Sequence, residues 1–165
     1  MRFKFTRLPP APDDRQTLWR AHESVPKTPD PESDCCGRIA HELGVDRSRA
    51  QEWFTLLRAL ELVRGTARGY VRLEGRPEDE VLAERLFDRI YGAPAVRSAL
   101  EAAGGSASKS TVFEAVAETA PGWERLRRNR TWRQEWEAGF DRLLAWLEAL
   151  GAVDREGETL RLVHI

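Results

Sequence analysis

The chain has 165 residues, with 26 basic and 27 acidic side chains and a net charge of −1 at neutral pH. A chain of this length forms one ordinary domain or two very small ones, and it buries enough surface to fold without a disulfide or a metal. The balanced charge argues against a protein that binds nucleic acid by bulk charge, although it leaves room for a local basic face.

The apolar runs are all shorter than the about 20 residues that cross a bilayer. The N-terminus, MRFKFTRLPP, lacks the uninterrupted apolar core and the cleavage site of a secretory signal. The only cysteines, Cys35 and Cys36, are adjacent, and neighbouring cysteines rarely bridge each other without strain. These features predict a chain without a membrane partner in a reducing, cytoplasmic location.

The basic residues are unevenly distributed between the two types. Twenty-three are arginine and three are lysine. Arginine suits bidentate recognition of phosphate or carboxylate. A GC-rich genome, whose codons favour arginine, is the alternative explanation for this bias.

The N-terminal segment predicts a strand and a helix. The first eight residues alternate, with Phe3 and Phe5 on one face, which predicts a short strand. Prolines end this strand. A helix follows, with Asp13 as its N-cap and Gln16 at the position that returns the hydrogen bond.

Two further helices are separated by a tight turn. The first, SDCCGRIAHEL, ends at Gly44, where a left-handed backbone conformation costs glycine little. Val45 fills the corner, and Asp46 caps a longer helix that continues to about Leu62. The segment LVRGTARGYVRLEG then predicts a β-hairpin, because β-prone residues flank glycines near its tip.

This order of helix, turn, helix and hairpin is that of a winged helix-turn-helix. Residues 38–73 resemble the winged-helix superfamily of prokaryotic regulators. The resemblance lies in the Gly-Val turn, the small residue at 50, the apolar residues at 54 and 57, and LELV running into the hairpin. The close match covers about a fifth of the chain, and it is specific for fold and permissive for function.

The second half begins after a polar boundary near residues 75–77. Three helices are predicted, from the acidic cluster at 78–80 to Ile90, over 95–103 and over 108–119. An irregular stretch follows, and Thr131 with Gln134 then forms a capping-box signature for a long helix that ends at Leu150. The C-terminal residues predict a second hairpin.

Similar segments, LRALELV and LEALGAV, stand at the entrance to each hairpin. The chain therefore resembles a tandem winged-helix protein, with domains 1–75 and 76–165. The resemblance implies a fold that is mainly α with small β-hairpins. In the second copy, an alternative register makes SASKSTVFEAV the recognition helix. The long helix 131–150 is preferred, because a hairpin follows it directly.

By this resemblance, the first residues of the helix after the tight turn face the major groove of DNA. Arginine bonds guanine bidentately and glutamine bonds adenine, so the residue types suit base readout. The alternative is a solvated helix surface, which Glu52 favours because a carboxylate is repelled by phosphates. The candidate DNA-contacting residues are Arg47, Ser48, Arg49, Gln51, Glu52 and Thr55.

Arginines also occur in the first hairpin and before the long helix. Wing arginines bind the backbone or minor groove, or they protect a hairpin edge from unwanted pairing. Five cations on the first helix and hairpin would give a salt slope of about −4 to −5. The segment 125–133 binds phosphates, or its arginines pair with nearby glutamates while Trp123 and Trp132 pack in the core. These candidates are Arg64, Arg68 and Arg72 in the hairpin and Arg125, Arg127, Arg128, Arg130 and Arg133 before the helix.

The remaining signals concern an interface and chemistry. Leu56 lies away from the apolar side of its helix, which predicts contact with the other domain or with a dimer mate. The three histidines, at 22, 41 and 164, have no zinc-like spacing. The cysteines act as a reactive-thiol sensor or as buried core residues. The sequence predicts no enzyme, no cofactor and no metal.

The sequence therefore predicts a small transcriptional regulator that reads duplex DNA with the helix 46–62 and its wing, as a homodimer. The alternative is a non-enzymatic adaptor that mediates protein–protein contacts in a chromosome, replication or transcription assembly.

Overall fold

The structure is a computed structural model that describes residues 2–128 and 131–163, without the side chains of Arg127 and Arg128. The chain divides into two compact units: Arg7–Pro77, the first unit, and Met1–Thr6 with Glu78–Ile165, the second unit. Within the described residues, helices dominate both units and each sheet has two or three strands. The predicted fold class, mainly α with small β-hairpins, is confirmed.

The first unit consists of three helices followed by a hairpin. Each helix repeats apolar residues every three or four positions, so that one side is buried. Leu18, Ile39, Phe54 and Leu57 form much of the core, and none is more than 1% exposed. The elements are α1 Gln16–Ser24, α2 Glu32–Leu43, α3 Arg47–Ala59, β2 Val63–Thr66 and β3 Gly69–Arg72.

One residue of the segment between α1 and α2 adds to this hairpin. Asp30 donates its N–H to the Tyr70 carbonyl at 3.1 Å, and Tyr70 donates to the Asp30 carbonyl at 2.8 Å. Gly69 permits this approach, because it has a φ of 132° and an added Cβ would lie 2.6 Å from the Asp30 carbonyl oxygen. The bridge attaches the hairpin to the start of α2.

The second unit repeats this plan with additional elements. Its three-stranded sheet has the order β5 (Ser106–Ser108), β7 (Thr159–Leu162) and β6 (Val153–Glu156). The short strand β5 takes the place that Asp30 occupies in the first unit. The elements are α4 Asp79–Arg89, β4 Ile90–Tyr91, α5 Ala93–Ala102, β5 Ser106–Ser108, α6 Lys109–Glu118, α7 Gly122–Arg128, α8 Trp132–Ala149, β6 Val153–Glu156 and β7 Thr159–Leu162.

The N-terminal strand is shorter than predicted. Strand β1 covers Phe3–Lys4 and pairs in parallel with β4. A 3₁₀ turn over Phe5–Arg7 ends it, and Phe5 packs edge-on against Trp136 with ring centroids 4.9 Å apart. The first six residues therefore group with the second unit, not with the domain 1–75 that was predicted to contain them. Their partners lie too far along the chain for a local pattern to reveal.

Two helix starts differ from the prediction. At α1 the Asp14 carboxylate, not that of Asp13, accepts the N–H of Gln16 at 2.9 Å. At α8 the Thr131 side chain makes no capping hydrogen bond, so the predicted capping box with Gln134 is wrong. The stretch predicted to be irregular contains a helix, α7.

The two cysteines belong to the core of the first unit. Cys35 and Cys36 are 0% and 1% exposed. Burial raises the pKa of Cys35 to about 11 and also raises that of Cys36. A thiol with a raised pKa carries little thiolate at neutral pH, and the thiolate is the reactive form. The core interpretation is therefore favoured over the sensor interpretation.

A buried histidine joins α1 to the end of the hairpin. His22 is 4% exposed, and its Nε2 lies 2.7 Å from the Leu73 carbonyl oxygen, where a neutral ring donates its N–H. Burial is the main cause that lowers the pKa of His22 below 6.5, and Arg72 and Arg76 act in the same direction. The folded unit therefore favours the neutral imidazole.

We expect native protein at neutral pH to react with a thiol reagent such as Ellman's reagent at neither cysteine. Both thiols should react once urea unfolds the chain, because unfolding exposes them and returns their pKa to the ordinary value, at which a reactive thiolate fraction is present. The release of chromophore with time measures this directly. Rapid modification of one thiol in the native protein would restore the sensor interpretation.

We also expect the free energy of unfolding to fall as the pH drops from about 7 to 5, because the unfolded histidine binds a proton that the folded one resists. A lowered folded pKa gives stability that is present above 6.5 and is lost below it. His22→Gln should flatten this dependence in urea titrations. Arg76 lowers the pKa of Glu23, and Lys27 lowers that of Glu74. These two carboxylates therefore titrate below the range from pH 7 to 5. Equal slopes in both proteins would contradict the assignment.

Candidate nucleic-acid interface

The tight turn between α2 and α3 fixes the start of α3. Gly44 adopts a left-handed conformation with a φ of 64°, and the N–H of Val45 donates to the Ala40 carbonyl at 3.1 Å. The Asp46 carboxylate then accepts the N–H of Arg49 at 2.8 Å, as predicted for the N-cap. Helix α3 ends at Ala59, three residues before its predicted end.

The outward side of α3 carries polar residues at helical spacing. Arg47, Ser48 and Gln51 are exposed, and Thr55 and Arg58 are half-buried. Thr55 donates its hydroxyl to the Gln51 carbonyl at 3.0 Å, within the helix. Arg58 was not predicted as a site residue, although its spacing from Gln51 and Thr55 places it on the same side.

Arg47 is held in place by α2. Its Nη2 donates to the Ser33 carbonyl at 2.8 Å, and Gly37 leaves space for the guanidinium, since an added Cβ would lie 3.3 Å from Nη1. A guanidinium has five N–H donors. Arg47 is therefore positioned across the start of α2 while its other N–H groups remain available to a phosphate.

Arg49 and Glu52 form an ion pair with each other. Arg49 Nη1 lies 2.9 Å from Glu52 Oε1, and both side chains are largely covered, at 33% and 18% exposed. Opposite charges at this spacing on a helix neutralise each other. The negative charge of Glu52, which disfavours contact with the groove, is therefore compensated by Arg49. The Arg49 guanidinium is in turn occupied by this ion pair.

The wing is fixed to α3 by aromatic contacts. The rings of Phe54 and Tyr70 pack edge-on with centroids 4.9 Å apart. The Arg58 guanidinium lies 5.0 Å from the Tyr70 ring centroid, within the range of a cation–π contact. Thr66 closes the tip, because its hydroxyl donates to the Gly69 carbonyl at 2.8 Å. The contacts of Tyr70 with Phe54 and Arg58 thus hold the hairpin beside α3.

The three wing arginines have different surroundings. Arg64 and Arg68 are exposed, and within the described part of the chain neither guanidinium has a hydrogen-bond or ion-pair partner. Arg72 is half-buried and donates from Nη1 to the Glu23 carbonyl at 2.6 Å. Arg64 and Arg68 are therefore available to a ligand, whereas Arg72 holds the hairpin to α1.

Leu56 is the residue predicted to contact the other domain or a dimer mate. It is 0% exposed, and so is Trp146, which has the corresponding place on α8. Helix α3 buries more than one side, so a residue away from the Ala50–Phe54–Leu57 side is also covered. Leu56 therefore offers no exposed apolar contact to a dimer mate.

The arginines predicted before α8 are partly described. Arg125 donates from Nη2 to the Ala117 carbonyl at 3.2 Å, and Arg133 forms an ion pair with Glu114. Both guanidinium groups also lie 5.6 Å from the Trp132 ring centroid. The side chains of Arg127 and Arg128 and the whole of Arg130 lie outside the described residues, so the segment 125–133 stays a prediction as a DNA contact.

Within residues 2–128 and 131–163, no group of three or more histidine, cysteine, aspartate or glutamate side chains is arranged to hold a metal ion. No helix in these ranges is long and apolar enough to cross a membrane. His22 and His41 lie in the first unit, and His164 lies outside the described residues.

Comparison with known families agrees with this architecture. A model of the halobacterial double winged helix domain matches residues 1–164. Searches of curated proteins and of solved structures gave no match. Winged-helix domains are in general DNA-binding modules. The predicted tandem winged-helix fold is thereby confirmed, and the chain belongs to the halobacterial double winged helix domain family.

Proposed function

We propose that the chain is a transcriptional regulator that binds duplex DNA through its first winged helix. The proposal rests on one surface, which we call the reading surface. It carries four arginines and no acidic residue, on a helix and a wing that are held together. Its residues are Arg47, Ser48, Gln51, Thr55, Arg58, Arg64, Thr66 and Arg68.

The geometry of this surface suits a helix in the major groove. Ser48 and Gln51 are exposed on the first turns of α3, where recognition helices contact base edges. Glutamine bonds adenine bidentately, so Gln51 is the residue best suited to sequence discrimination. The hairpin then brings Arg64 and Arg68 to the phosphate backbone, where arginine binds independently of sequence.

One ion pair and one hydrogen bond reduce the number of cations that act on DNA. Five were expected from the sequence, but Arg49 is paired with Glu52 and Arg72 is bonded to the Glu23 carbonyl. Arg47, Arg64 and Arg68 remain as exposed cations. If each meets one phosphate, the logarithm of the binding constant falls with the logarithm of salt at a slope of about −3.

The adaptor alternative has lost two of its supports. It rests on the near-zero net charge and on the acidic helix that begins at residues 78–80, as well as on Leu56 as a contact and on Glu52 as an acid that disfavours the groove. Leu56 is buried and Glu52 is ion-paired. A pull-down that retains a protein partner after nuclease treatment would favour the adaptor, and a chain that retains only DNA would exclude it.

Fluorescence anisotropy with a pool of genomic duplex fragments tests the proposal. Arg64→Gln combined with Arg68→Gln should weaken binding to all fragments alike and make the salt slope less steep by about 2. Gln51→Ala should leave the slope unchanged and reduce discrimination between sequences, because it removes base contacts only. Unchanged thermal melting serves as the folding control. Absent or salt-independent binding of the wild type below about 100 mM salt would overturn the proposal.

A further inference from the structure

The two winged helices repeat each other at a constant offset of ninety residues. The N–H of Leu60 donates to the Leu56 carbonyl at 2.9 Å, and that of Leu150 donates to the Trp146 carbonyl at 3.0 Å. The following residues, Glu61 and Gly151, both have a positive φ, of 58° and 73°. Helix α8, not α6, is therefore the counterpart of α3.

The hairpins follow the same offset. The N–H of Leu73 donates to the Leu62 carbonyl at 3.0 Å, and that of Val163 donates to the Ala152 carbonyl at 3.0 Å. The strand registers also correspond, since β2 and β3 pair as β6 and β7 do. Each residue of the reading surface therefore has a defined equivalent in the second unit.

The equivalent residues on the two helices differ in charge. Glu137 stands in the place of Arg47, and Glu148 stands in the place of Arg58. Asp141 replaces Gln51, the residue proposed to read bases. All three acids are exposed. Helix α8 therefore presents carboxylates where α3 presents guanidinium and amide groups.

The equivalent residues on the two hairpins differ in the same way. Asp154 replaces Arg64, Glu156 replaces Thr66 and Glu158 replaces Arg68, and all of these positions are exposed. The eight equivalent positions carry six acids and no base, against four bases and no acid on the reading surface. These positions are Glu137, Ala138, Asp141, Ala145, Glu148, Asp154, Glu156 and Glu158. The same hairpin also carries two exposed arginines, Arg155 and Arg161, at the places of Gly65 and Val71.

Most of these acids are not neutralised by the unit itself. Asp141 pairs with Lys109 at 2.6 Å, and Asp154 pairs with Arg161. For Glu137, Glu148, Glu156 and Glu158, no ion-pair partner occurs in the part of the chain that the structure describes. A phosphate backbone brought against this surface meets like charges and is repelled.

We infer that the chain contacts duplex DNA through its first winged helix only, and that charge keeps the equivalent surface of the second winged helix off DNA. This inference rests on the proposed function. Each chain then inserts one recognition helix into the duplex, although it contains two helices of the same kind. The described arginines of the segment 125–133 agree with this, since Arg125 and Arg133 are engaged within the second unit.

Photo-crosslinking in the full chain tests where DNA lies. Ser48 and Ala138 are equivalent, exposed and without side-chain partners in the described structure, so each can be replaced by p-benzoylphenylalanine with little effect on folding. With a labelled genomic duplex that the wild type binds, we expect the adduct yield from position 48 to exceed that from position 138 by about tenfold or more. Comparable yields, or a higher yield from position 138, would overturn the inference.

Exchanging charged residues between the two wings tests the same inference through the binding affinity. Arg64→Asp with Arg68→Glu installs the second unit's residues in the first wing and should weaken binding by about tenfold or more. Glu158→Arg is the matched control in the second wing, and it should change affinity by less than about twofold, because salt screens charges that do not touch DNA. Unchanged affinity of the first variant, or a large gain from the second, would contradict the inference.

Failure of the proposed function and failure of this inference give different experimental results. If the wild type binds no duplex in anisotropy, the proposed function is overturned and the inference falls with it. If the wild type binds with a salt-dependent affinity but position 138 forms the adduct, DNA binding stands and only its assignment to the first winged helix is wrong.

Discussion

The position of each wing depends on one residue that is hydrogen-bonded in two directions. Leu62 donates its N–H to the Leu57 carbonyl of α3 at 2.9 Å, and its own carbonyl accepts the N–H of Leu73 from the far strand at 3.0 Å. The helix end and the hairpin are thereby joined through main-chain atoms. Because main-chain bonds do not depend on side-chain identity, Ala152 makes the same two bonds at 2.8 Å and 3.0 Å in the second unit.

This separation of scaffold and surface explains how one architecture carries two opposite charge patterns. Equivalent buried positions stay apolar in both units: Leu57 and Leu147 are 0% exposed, and Val63 and Val153 are at most 4% exposed. Packing constrains these positions, since a buried charge is costly. Exposed positions such as Arg68 and Glu158 are free of that constraint, so the same scaffold can carry opposite charges there.

The features that sequence predicts well are those with local causes. The Gly44 turn, the Asp46 cap and the glycines of the first hairpin act on their immediate neighbours, and the structure has all of them. Some of the errors are local, as at the N-cap of α1 and the capping box of α8. Others have distant causes, since the N-terminal strand pairs with a strand some 87 residues later along the chain. The partners of Arg47 and Arg72 are carbonyls of other segments, which no helical periodicity reveals.

The net charge of the chain conceals this difference between the two units. A net charge of −1 argues against binding nucleic acid by bulk charge, and this remains correct for the chain as a whole. The sum, however, combines a surface of four arginines with an equivalent surface of six acids, and the two contributions offset each other. Salt screens charges beyond a Debye length of about 10 Å, so a phosphate backbone responds to the surface it touches and not to the total. For a tandem protein, net charge therefore reports only the sum over two units, and the pairwise comparison of equivalent positions separates the charge that each unit presents.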